Sequence, residues 1–177
     1  MVGVCLLLAT ALPFSEMDYR IIADYDFDEL TNTTTRASSC TNVLFSAFDC
    51  FGGELLYTPA GTNGILQISA TKQGYLTYAG DAVSPENTIF ITMCKAPSTA
   101  LKAKLAVGWI YQTATNTIQI VAPGYEMEPY EVPLSVVQPG STLIIRPSDE
   151  IQSDRVFRID RIIFARKRKH GFYIIIR

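Results

Sequence analysis

The stretch Val156-Phe157-Arg158-Ile159-Asp160-Arg161-Ile162-Ile163-Phe164 constrains the fold more than any other part of the chain. Phe157 and Ile159 stand two apart, the spacing of a strand with one face on a core. Ile162 and Phe164 repeat that spacing in the opposite phase. The phase changes at Asp160-Arg161, which is how a β-bulge reads in a sequence. A carboxylate held there among core-grade residues has either a cation to meet or a rim to decorate.

Most of the remaining pattern is also of period two. Ile21, Ala23, Tyr25 and Phe27 alternate with Ile22, Asp24, Asp26 and Asp28, predicting a first strand with an acidic outer face. Residues 43–48 and 54–57 flank a turn at Gly52-Gly53. Leu66, Ile68 and Ala70 alternate with polar neighbours, and Tyr75 and Tyr78 fall on opposite faces of a short strand. Residues 88–94 are β-branched and apolar, as in a strand buried on both faces. The longest alternation, Leu101, Ala103, Leu105, Val107, Trp109 and Tyr111, predicts a strand from 101 onward with Trp109 in the core. Strands over 117–122, 130–137 and 142–146 are separated by Pro123-Gly124 and Pro139-Gly140. About ten short strands without an amphipathic helix predict an all-β, two-sheet antiparallel sandwich.

Apolar residues make up 48% of the 177 and charged residues 18%, enough for one domain with a substantial core. Residues 166–177 hold five basic side chains and no acid, and residues 1–16 only Glu16. Ten basic and sixteen acidic side chains remain between them, so the mildly acidic body argues against a nucleic-acid-binding surface. The apolar run 2–12 is too short to span a bilayer and ends in the small residues Ala9-Thr10-Ala11. It reads as a signal peptide over 1–16, followed by a sandwich over 17–165 and a basic and apolar tail over 166–177. The expected location is secreted, extracellular; a buried N-terminal strand is the alternative.

Removal of the leader leaves three cysteines. Cys40 and Cys50 are near enough in sequence to close a loop as a disulfide, although pairing with Cys94 or three reduced thiols stay open. Asn32-Thr33-Thr34 is an N-glycosylation sequon. The run Arg166-Lys167-Arg168-Lys169 reads as a solvated end, a processing site, an anionic-glycan contact or a nuclear-localisation patch.

Asp26-Phe27-Asp28-Glu29 near the start and the 157–164 stretch near the end together resemble the galactose-binding-like jelly rolls. That superfamily includes many carbohydrate-binding modules, and MAM-type adhesion domains share a similar plan. The resemblance, over about residues 20–165, implies a jelly-roll β-sandwich whose first and last strands are neighbours. It also implies a structural calcium between those strands, with Asp26, Asp28 or Glu29 and Asp160 as oxygen donors. An ion pair between the first-strand acids and Arg158 or Arg161 is the competing arrangement.

The single histidine, His170, lies in the tail, so neither a Ser-His-Asp triad nor a histidine metal site fits the body. No phosphate-binding glycine loop appears. Gly124-Tyr125-Glu126-Met127-Glu128-Pro129-Tyr130-Glu131 is the most distinctive loop. Tyrosine offers a flat apolar face with a hydroxyl, and carboxylates accept hydrogen bonds from sugar hydroxyls. Tyr125, Glu126, Glu128 and Tyr130 are therefore the candidate ligand-binding residues; the competing view packs the tyrosines on the sandwich edge. The expected function is a secreted, non-catalytic recognition module binding glycan or an extracellular protein. A glycoside hydrolase using paired carboxylates such as Glu126, Glu128 and Glu131 is an alternative, as is a structural matrix or coat component.

Overall fold

A computed structural model describes residues 18–26, 48–51, 53–57, 64–70, 73–148 and 155–168. Its longest strand is β11 (Val156–Lys167), the strand with the phase break. Phe157, Ile159, Ile162 and Phe164 all enter one core, and the ladder to β6 (Asn87–Lys95) shifts register between Ile159 and Arg161. One extra residue at Asp160 thus turns the second apolar pair back onto the face of the first. The strand takes in Arg166 and Lys167 of the basic run.

On its other edge β11 serves two partners. β4 (Gly64–Ser69) pairs with Val156 through Ile159, while β1 (Tyr19–Asp26) pairs with Arg161 through Lys167. The bulge lies where one partner gives way to the other. First and last strands are therefore neighbours, as the two terminal motifs imply.

The remaining strands complete two antiparallel sheets. β3 (Gly53–Tyr57), β4, β11, β6 and β9 (Glu128–Pro133) lie in that order, with β1 as the sixth strand. The second sheet runs β2 (Phe48–Phe51), β5 (Tyr75–Ala79), β10 (Thr142–Pro147), β7 (Leu105–Tyr111) and β8 (Ala114–Val121). The chain crosses between sheets after β1, β2, β4, β5, β6, β8, β9 and β10. Each crossing carries an alternating strand whose apolar face meets the opposite layer: Ile89, Ile91 and Met93 from β6, Leu105, Val107 and Trp109 from β7, Leu143 and Ile145 from β10. Trp109 is buried, and Tyr78 is buried while Tyr75 lies on the opposite face of β5.

An aromatic cluster occupies the core beside β1. Tyr25, Phe48, Tyr78 and Phe164 approach with centroid separations of 4.8–6.2 Å. The Tyr25 and Tyr78 hydroxyls meet at 3.1 Å in the interior.

Two sequence expectations are corrected. β7 begins at Leu105, not 101; Leu101 is 73% exposed in a turn closed by the Ala103 N–H on the Ala100 carbonyl. That turn follows another at 96–99, where Pro97 suits the second position, so local hydrogen bonds override the alternation. Ile21 is exposed, not core-facing, because the β1–β11 ladder shifts between Ile21 and Ala23 and passes the inward position to Ile22.

Gly108 marks a close approach. A Cβ there would sit 2.4 Å from the Asn116 carbonyl oxygen, beside the register shift at Val107 and Gly108. Gly108→Ala is expected to cost about 1–2 kcal/mol in urea unfolding, held to that range because the edge strand β8 can yield. Unchanged stability would show that β8 does not need this approach.

Candidate functional site

One end of the sandwich gathers most of the unusual side chains. β6 ends there at Lys95, β11 begins at Val156, β9 begins at Glu128 and β5 begins at Tyr75. The turn at 96–101 is its hub. Ala96 donates its N–H to the Val156 carbonyl at 3.0 Å. The buried Thr99 hydroxyl donates to the same carbonyl at 2.9 Å and accepts from the Val156 N–H at 3.1 Å. Thr99 thereby joins two segments 57 residues apart.

The Thr99 carbonyl in turn holds Tyr125, whose hydroxyl donates to it at 2.9 Å. Lys95 follows the core-facing phase of β6, and its ammonium emerges 5.5 Å from the Tyr125 ring centroid while donating to the Leu101 carbonyl. A cation at that distance from an aromatic face is an attractive contact. Gly124 accepts the Lys95 backbone N–H at 2.8 Å, which fixes the loop just ahead of the tyrosine. Tyr125 is nevertheless 47% exposed. Burial lowers the Lys95 pKa, since desolvation disfavours the ammonium. The unfolded chain holds that proton more tightly, so the penalty stands at neutral pH and lifts as pH rises from the folded-state value toward the ordinary lysine value.

The four predicted ligand-binding residues divide by role. Tyr125 and Glu126 are exposed on the loop, and Glu128 is exposed at the start of β9. Tyr130 lies opposite Ile91 and packs against the core, matching the edge-packing view for that tyrosine. Its hydroxyl accepts the Gly124 N–H at 3.1 Å and donates to Glu128 Oε2 at 3.3 Å. Burial is the main cause of its raised pKa. Tyr130 therefore supports the loop while Tyr125 faces outward.

Two of the predicted calcium donors, Asp26 and Asp160, lie elsewhere, along the β1–β11 seam. Asp26 is opposite Arg161, and Asp160 occupies the bulge. Asp28 and Glu29 lie outside the described residues, as do the 1–16 leader, Asn32 and Cys40. Cys50 is in β2. Cys94 is a free, buried thiol whose pKa burial pushes up. Arg161 donates from Nε to Asp24 Oδ1 at 2.8 Å and from Nη2 to Asp24 Oδ2 at 2.5 Å. The Asp24 hydrogen bond is the main cause of a raised Arg161 pKa, and Asp26 and Asp160 add Coulombic attraction. Among the described residues no group of three or more His, Cys, Asp or Glu side chains forms a metal cluster. The described part of the seam therefore fits an arginine-centred ion pair, and a calcium site would depend on Asp28 and Glu29.

No protein-family model matches the sequence, and no curated protein matches it. Solved structures match by fold. A xylan-binding domain of carbohydrate-binding-module family 22 aligns with a TM-score of 0.51 at 11% identity, covering 86% of this chain and 97% of that one. A family 29 module complexed with mannohexaose aligns with a TM-score of 0.47 at 14% identity, covering 82% and 90%. Another, complexed with cellulohexaose, has a TM-score of 0.47 at 13% identity, covering 84% and 92%. The two sheets, their antiparallel strands and the family 22 alignment make this chain a two-sheet jelly-roll β-sandwich, the fold of that xylan-binding domain.

Proposed function

We propose that this chain is a non-catalytic module that binds a glycan at the Tyr125 end of the sandwich and acts outside the cell. The observation that carries the reading is Tyr125 itself, an exposed ring tethered through its hydroxyl and braced by a buried ammonium. Such a ring loses little conformational freedom when a sugar stacks on it, so less of the stacking energy goes into ordering the site. Glu126 and Glu128 beside it supply acceptors for sugar hydroxyls. The extracellular placement rests on the apolar opening run.

Calorimetry against xylan, mannan and cellulose oligosaccharides tests the site. Tyr125→Ala should weaken the best ligand by about 2 kcal/mol, about thirtyfold, with the melting temperature nearly unchanged. Glu126→Gln and Glu128→Gln should weaken binding, and the wild type should release no reducing sugar. Full affinity in Tyr125→Ala would move the site elsewhere. Turnover lost in either glutamine variant would establish the glycosidase alternative.

A further inference from the structure

Arg155 lies at the same end and enters neither the fold's ion pairs nor the Tyr125 platform. It directly precedes β11, and its carbonyl accepts the Ala70 N–H at 2.9 Å just past the end of β4. Its Nε and Nη1 atoms are buried without a hydrogen-bond partner among the described residues. Buried donors are nearly always satisfied, and those of a charged guanidinium are especially costly to leave bare. Solvent does not reach either atom, so bulk water does not complete them.

Arg155 is among the residues that line a cavity of about 250 Å³. Tyr75 and Arg146 form one wall, each next in sequence to a member of the Leu76–Ile145 pair of the β5–β10 ladder. The turn through Gln73 and Gly74 forms another, with Gln73 in the left-handed region at φ 51° and the Gly74 N–H on the Ser69 carbonyl at 2.7 Å. A space of this size takes a unit smaller than a drug-like ligand, on the scale of one sugar ring.

We infer that this cavity receives a carboxylate carried on a sugar ring, so that a uronic-acid residue is part of the ligand. The inference rests on the glycan-binding reading. Guanidinium donors form a planar fork that matches a carboxylate, and the inference requires the Arg155 side chain to turn on binding so that its closed-off donors meet the ligand. Arg146 and Tyr75 stand on the approach, a basic and an aromatic side chain beside Arg155. No lysine or nest of consecutive backbone amides lines the described wall, which favours a planar carboxylate over a phosphate.

The test measures thermal shifts of the full chain with the sodium salts of galacturonate, acetate and sulfate at equal ionic strength, and with galactose. Galacturonate alone should raise the melting temperature. Arg155→Gln should abolish the response; Arg155→Lys, which keeps the charge but loses the fork, should weaken apparent affinity about tenfold or more. The lysine variant decides the matter should the glutamine variant unfold. Equal protection by galactose, acetate or sulfate, or an undiminished response in either variant, overturns the inference. Calorimetry with neutral oligosaccharides separates this result from the parent reading. Neutral binding without galacturonate protection sinks the carboxylate site alone. Galacturonate protection lost in Arg155→Gln, with no oligosaccharide binding, upholds the pocket and sinks the Tyr125 platform.

Discussion

Phe164→Ala is expected to destabilise the sandwich by about 3–5 kcal/mol, the range for truncating a fully buried aromatic side chain. Phe164 is inaccessible to solvent and touches the rings of Tyr25, Phe48 and Tyr78, which come from three other strands. The packing around the void cannot collapse far, because those rings also hold one another. For a chain of this length the melting temperature should fall by about 10 °C. Phe164→Leu, which keeps most of the volume, should lose less than half as much. Urea unfolding with an unchanged slope checks both values. A loss below about 1 kcal/mol for the alanine variant would mean that the cluster does not bind the sheets together.

Arg161→Leu should cost about 2–3 kcal/mol. Removing one member of a well-buried pair costs more, but the Arg161 and Asp24 side chains are 22% and 30% exposed, and water screens part of the loss. The substitution also strips Asp26 and Asp160 of the cation that attracts them. Adding Asp24→Asn to Arg161→Leu should recover part of the stability, since one uncompensated carboxylate disappears. Chelation separates this pair from the calcium arrangement implied by the resemblance. With arginine as the organising cation, a chelator leaves the wild-type melting temperature unchanged. A fall on chelation that disappears in Asp160→Ala would instead establish calcium held with Asp28 and Glu29.

The bulge in β11 was legible because two apolar pairs in opposite phase leave one place for the slip. The matching slip in β1 was not, because Ile21 and Ile22 are equally apolar and only the ladder to β11 decides which faces inward. Leu101 misled for another reason: alternation records side-chain type, whereas the turns at 96–99 and 100–103 are decided by backbone hydrogen bonds. Pro97 was the available signal for the first of them. Tyr125 was legible as a residue but not as a platform, since its partners Lys95 and Thr99 are distant in sequence. Arg155 carried no local mark; its two unpartnered donors are a property of the folded end of the sandwich, not of its neighbours in sequence.

The division of one edge of β11 between β1 and β4 has a consequence during synthesis. β1 is the first described strand to leave the ribosome, yet its one ladder partner among the described strands, β11, is the last of them to do so. The Asp24–Arg161 pair alone spans 137 residues. Until that partner emerges, the bare backbone of β1 and its apolar residues Ile22, Ala23 and Tyr25 wait for tens of seconds at slower translation rates, open to pairing with neighbouring nascent chains. Closure of the larger sheet is then a late event of high contact order, and the nascent chain should depend on holdase chaperones to a degree that the finished sandwich does not.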